Sequence, residues 1–178
     1  MSDRIRELQI IIESAKPFLR ISEAELNQRQ TPNQWSIGQC IDHLLISNAT
    51  YLPVFEKIFN GKYKEGIWHK VSPFTKKIGR NMVQTLGPIV SKKFLSPKIF
   101  LPRTKKIETR VVTDFISQQE RLITLFTELE KDHNKSQIIS SPVSSLITIT
   151  VSDAMDIIIG HDKRHLRQAA QILKDLND

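Results

Sequence analysis

The sequence predicts an all-α fold, an antiparallel four-helix bundle with a long irregular, basic insertion between its second and third helices. Three observations lead there. Four stretches carry apolar residues at three- and four-residue steps, the stripe of an amphipathic helix. One stretch, 62–106, has no sustained period and is cut by Gly66, Pro73, Gly79, Gly87, Pro88, Pro97 and Pro102. The length, 178 residues with 39% hydrophobic and 25% charged, suits one globular domain over 1–178.

The first helix is expected over Ser2–Gln30, on Ile5, Leu8, Ile12, Ala15, Leu19 and Leu26. Pro17 predicts a kink or a short break inside it, and Thr31-Pro32-Asn33 ends it. Ser36 is the expected N-cap of the second helix, whose stripe is Ile37, Ile41, Leu44, Leu45, Leu52, Phe55 and Phe59. Pro53 predicts a bend there, and Asn60-Gly61 closes the helix. Within 62–106, two short helices are expected near Pro73–Gln84 and Gly87–Leu95. The third helix is expected over Thr109–Lys131. Ser140-Ser141-Pro142 marks a turn, and Leu146–Val151 is β-branched enough to run extended. Ser152 is the expected N-cap of the fourth helix, with Met155, Ile158, Ile159, Leu166, Ala169, Ala170 and Leu173 as its stripe.

Charge is uneven. Residues 62–106 hold 12 Lys/Arg and one acid, Glu65, while the whole chain is only +7. The scaffold around that stretch is therefore mildly acidic, and any argument from charge concerns the stretch alone. One cysteine, Cys40, excludes an internal disulfide framework and a CxxC site. No apolar run approaches the roughly 20 residues needed to span a bilayer, so no membrane partner is expected. The opening MSDRIRELQI carries charges where a signal peptide needs an apolar run. A cytoplasmic location is the expectation.

The chemistry lies in the histidines. His161 and His165 are four apart, which stacks both imidazoles on one helix face. Two nitrogens so placed can share a metal at about 2.0–2.1 Å each. The spacing also fits two ordinary helix-edge histidines, because such pairs arise by chance. Both residues flank the apolar stripe, where a seam between helices would lie. His43 holds the same shoulder position on the second helix, so a third imidazole from a facing helix could join the pair. Three imidazoles would leave one coordination position open, as in catalytic rather than structural sites.

At this point the sequence resembles a known family. Trp35-Ser36-Ile37-Gly38-Gln39-Cys40-Ile41-Asp42-His43-Leu44 resembles the "W-S-x-x-x-x-x-x-H-L" opening of the DinB-like family of metal-binding four-helix bundles. His161-Asp162-Lys163-Arg164-His165-Leu166-Arg167-Gln168 resembles its closing "H-x-x-x-H-x-x-Q" helix. The resemblance implies metal ligands at His43, His161 and His165 and a zinc- or nickel-type divalent ion. It also implies a metal-dependent enzyme, a transferase activating a low-molecular-weight thiol or a hydrolase activating water, and a homodimer. The 62–106 stretch is longer than the family's usual connection.

Four further residues are candidates around such a site. Asp162 falls inside the apolar stripe, where it is expected either to hold a ligand imidazole or to pair with Arg or Lys. Cys40 is a small core hydrophobe first and a soft ligand second. Arg167 and Gln168 are candidates to orient an anionic substrate, against the reading that exposed polar residues on a last helix do nothing specific. His69 and His133 fall in expected loops and are not expected to be ligands. The basic stretch is read first as a solvated connection, second as a lid, third as a nucleic-acid patch built on Lys76, Lys77, Arg80, Lys92, Lys93, Lys105 and Lys106 with Trp68, Phe74, Phe94 and Phe100. The competing function is a metal-free helical protein that binds an acidic partner through this stretch.

Overall fold

The computed structural model describes residues 2–72, 75–86, 97–103 and 106–177. In chain order its elements are α1 (Asp3–Ala15), a 3-10 turn (Lys16–Arg20), α2 (Glu23–Asn27), α3 (Ile37–Ala49), α4 (Leu52–Phe59), α5 (Ile67–Val71) and α6 (Thr75–Leu86). There follow a second 3-10 turn (Lys98–Phe100), α7 (Arg110–Leu129), α8 (Asp132–Lys135), the strands β1 (Ile138–Ser141) and β2 (Ser144–Thr150), and α9 (Val151–Asn177). The all-α reading holds, with one two-stranded hairpin added to it.

Local chemistry explains where the expected helices divide. Of the kink or short break expected at Pro17, the structure has the break: Pro17 sits in the first turn of the 3-10 segment, and α2 restarts behind Ser22, which forms a capping box with Glu25. Pro53 likewise sits in the first turn of α4, where its missing N–H has no partner to lose. Leu146–Thr150 extends as expected, as part of β2, while Val151 already opens α9; the turn expected at Ser140-Ser141-Pro142 falls at Pro142-Val143 and joins β2 to an antiparallel strand, Ile138–Ser141, that was not expected. The last helix is capped by Thr150 rather than Ser152. The Thr150 hydroxyl accepts from the Asp153 amide at 3.0 Å and donates to the Asp153 carboxylate at 2.8 Å. The second short helix expected near Gly87–Leu95, with Phe74, Lys92, Lys93, Phe94 and Lys105, lies outside the described residues.

The bundle is a ring in which α1 and α3 each pack against both α7 and α9. Its core is continuous, with Leu8, Ile41, Leu44, Phe55, Phe115, Leu122, Phe126 and Met155 fully buried. Side-chain contacts fix the helix directions. Arg4 reaches Asp156 at 2.7 Å and lies beside Glu130, so α1 starts where α9 starts and α7 ends. Asn48 meets Asp162, and His43, earlier on α3, meets His165, later on α9, so these two helices are antiparallel. Gln118 donates to the Leu45 carbonyl and Arg121 reaches Glu56, so α3–α4 and α7 run the same way.

That parallel pair requires a long crossover, because the chain must return the length of the bundle between α4 and α7. The basic stretch is that crossover. Tyr63 and Trp68 tie its start to the hairpin through the Ile138 and Leu146 carbonyls. α6 then packs on α9 and β2. Gly79 makes that approach possible, since a Cβ there would lie 2.2 Å from an Asp153 carboxylate oxygen. Residues 97–103 finally cross α3. The described stretch is thus a packed return path rather than the solvated connection expected first. Among the described residues no helix is long and apolar enough to cross a membrane.

Candidate metal centre

The site is assembled by the middle turns of two helices, α3 and α9, and one backbone strap. Ser36 caps α3: its hydroxyl accepts from the Gln39 amide, and the Gln39 side chain accepts from the Ser36 amide, both at 3.2 Å. This fixes where α3 begins and therefore where His43 points, two turns later. His161 and His165 stand one turn apart on α9, which packs against α3.

The three rings form a nearly equilateral triangle. Centroid separations are 4.8 Å for His43–His161, 4.7 Å for His43–His165 and 4.7 Å for His161–His165, each pair close to edge-on. The Nε2 atoms of His43 and His161 face each other at 3.1 Å. One ring nitrogen from each residue lies within 4.8 Å of the other two. Trp35 covers the group, with its ring 4.8 Å from His43 and 5.7 Å from His165.

Two rings have their tautomer set from outside. His43 Nδ1–H donates to the Phe100 carbonyl at 2.5 Å, and His165 Nδ1–H donates to Gln168 Oε1 at 3.0 Å. Each bond leaves an Nε2 lone pair free to turn inward. Burial lowers all three pKa values. For His161, desolvation dominates and the neighbouring His165 and His43 add to it. For His165 desolvation and His43 bring it to about 3. For His43 desolvation outweighs the Phe100 bond and Asp42, which act the other way. The three imidazoles are therefore neutral at physiological pH, the state in which imidazole ligates.

The remaining candidates behave differently. Asp162 is fully buried, but it neither holds a ligand ring nor pairs with a cation. It accepts from Asn48 Nδ2 at 3.0 Å and 3.2 Å and from Gln119 Nε2 at 2.8 Å, and burial raises its pKa to about 7 despite those bonds. The expectation failed because an amide pair on α3 and α7 satisfies a carboxylate as well as an ion pair does. Cys40 is fully buried, its thiol pushed up to about 12, and it is not in the histidine group. Gln168 orients His165 rather than a substrate. Arg167 is exposed two residues beyond His165. His69 bonds Gly66 and Ser140 on the hairpin side, and His133 is exposed on α8.

Sequence reasoning missed the strap. Asp42 is fully buried and accepts from the Arg103 amide at 2.7 Å and from Nε at 2.8 Å, with a further bond from Nη2. This clamp holds 97–103 over α3 and delivers the Phe100 carbonyl to His43. A carbonyl has no side-chain signature, and Asp42 falls off the apolar stripe of its helix, where an aspartate reads as a solvated residue.

The donor set suits a divalent cation. Tetrahedral ligands about 2.0–2.1 Å from one ion lie about 3.3–3.4 Å apart, close to the His43–His161 separation. Three neutral donors leave an ion its full charge and leave a fourth position to be filled. Residues 13–169 match a family model described as the DinB superfamily. No curated protein and no solved structure matches the chain.

Proposed function

The chain belongs to the DinB superfamily, and on that footing we propose that it is a metal-dependent transferase in which His43, His161 and His165 hold one zinc or nickel ion and a low-molecular-weight thiol is the nucleophile. The observation that carries the reading is the triangle of neutral imidazoles, two of them with Nδ1 committed outward. Bound there, the ion supplies Lewis acidity that brings a thiol or water pKa toward neutrality. His43 and His165 hold the donor geometry, and Trp35 shields one flank from water.

The choice of thiol over water rests on what surrounds the rings. Among the described residues the histidine group includes no carboxylate, and Asp162 is occupied by Asn48 and Gln119. Hydrolysis of an ester or amide needs a group to carry protons between water and leaving group. Thiol transfer needs only that S–H lose its proton before the S–C bond forms. Of the cations in 62–106, Arg103 and Lys106 pair within the chain, with Asp42 and Glu23.

The test offers metal-loaded protein a small thiol with an alkylating electrophile and, separately, an aryl ester. Thioether formation that needs both metal and thiol and falls at least a hundredfold in His161→Ala is expected. Metal-dependent ester cleavage with no thioether would contradict the assignment of the nucleophile.

A further inference from the structure

We infer that a groove beyond the end of α3, separate from the histidines, binds a phosphate group carried on a compact apolar body. Tyr51 lines it eight residues past His43, about 12 Å along a helix at 1.5 Å per residue. Its volume is about 610 Å³, in the range of small-molecule pockets. This inference does not rest on the proposed transferase activity.

Three ammonium groups, Lys57, Lys62 and Lys64, rim the groove, and no carboxylate lines it. None of the three pairs with a carboxylate among the described residues. Of the acids adjacent in sequence, Glu56 pairs with Arg121, and Glu65 accepts from the Ile138 amide at 2.7 Å while its charge still acts on the groove residue Tyr63. Tyr51 supplies a neutral donor. The residue is only 6% exposed, but its hydroxyl bonds no described residue and is not among the enclosed unpartnered atoms, so the oxygen itself meets solvent. Burial holds that phenol well above its usual range, so it stays a donor. A neutral phenol that meets solvent in a groove also lined by three lysines unpaired among the described residues offers an anion a donor and positive charge together. Val54 and Pro142 give it an apolar floor.

The groove is built to bind and not to cleave. The Gly66 amide donates to His69 Nδ1 at 2.8 Å, so the ring proton sits on Nε2 and is donated to the Ser140 hydroxyl at 3.0 Å. His69 therefore cannot take a proton from Ser140, and the pair is no nucleophile-base couple. The exposed side chains Ile67, Trp68 and Leu146 stand nearby, with the Trp68 indole bonded to the Leu146 carbonyl. A phosphate could thus come from a soluble ester or from a lipid headgroup.

Calorimetric titration with phenyl phosphate, with phenol as the uncharged control, tests the inference. Phenyl phosphate is expected to bind the unaltered protein and His43→Ala equally, and phenol not at all. Lys62→Ser/Lys64→Ser should weaken binding about tenfold and Tyr51→Phe about threefold, with thermal midpoints unchanged. Sedimentation with phosphatidylglycerol and phosphatidylcholine vesicles separates the sources. Lysine-dependent pelleting with the anionic lipid, competed by phenyl phosphate, assigns the phosphate to a headgroup; its absence with phenyl phosphate still bound assigns it to a soluble ester. Absence of both signals, or binding untouched by the lysine substitutions, would overturn the inference.

Discussion

His43 and His165 illustrate how little of a ligand's orientation is carried by the ligand itself. Each has its Nδ1 proton placed by a neighbour, a backbone carbonyl in one case and the Gln168 amide in the other. Outer partners of this kind are worth about 10- to 100-fold in metal affinity. Gln168→Ala is accordingly expected to weaken metal binding about tenfold in chelator competition, with the fold intact. Unchanged affinity would mean that the Gln168 bond does not orient the ring. The spacing of His161 and His165 was legible because helical period is the strongest signal a sequence carries. The Phe100 carbonyl was not, since every residue has one. Asp162 was legible as unusual, yet its partners were not, because Asn48 and Gln119 look like ordinary polar residues until α3 and α7 meet.

Among elements, α3 and the strap 97–103 act as one piece. Asp42 and His43 are consecutive, and both are engaged by the strap, one by Arg103 and the other by Phe100. Burial of Asp42 makes the clamp costly to break, although Arg103 itself is 61% exposed. Arg103→Ala leaves the backbone amide bond and removes the guanidinium, which should cost about 1–2 kcal/mol of stability. The same variant should hold metal more weakly, because the Phe100 carbonyl loses its tether. Urea midpoints and chelator competition on that variant check both effects, and a loss of stability with full metal affinity would uncouple strap from site. The long helices were readable from their stripes. The break at Pro17 was readable from the proline; the division at Pro53 was not, since a proline suits a first turn as readily as a bend, and Thr150 with Asp153 outcompeted Ser152 as a cap through two reciprocal bonds.

For the whole molecule, direction matters more than helix count. Nothing in the stripes says that α3 and α7 run parallel, yet that fact turns 62–106 from an insertion into a necessary return path. It also brings residues 97–103 over His43. Stability against pH is a property at this scale too. In metal-free protein the three imidazoles have pKa values below 6.5, so the unfolded chain takes up their protons first. His161 and His165 each contribute a loss approaching about 1.4 kcal/mol per pH unit as pH falls below about 6.5, for His165 down to about 3, and His43 adds in the same direction. Asp162 has the opposite sign, because its folded pKa of about 7 lies above the model-peptide 3.8, so the folded chain takes its proton first. The imidazoles outnumber it. Urea midpoints measured in chelator should therefore fall between pH 6.5 and 5, and a flat or rising profile would contradict the burial of neutral rings.

The most direct measurement is an X-ray absorption spectrum of the protein loaded with one equivalent of zinc or nickel. Three imidazole nitrogens at about 2.0–2.1 Å with one further light ligand are expected, and the imidazole signal should shrink in His43→Ala. A metal that washes away, or that keeps the same shell without His43, would contradict the shared site.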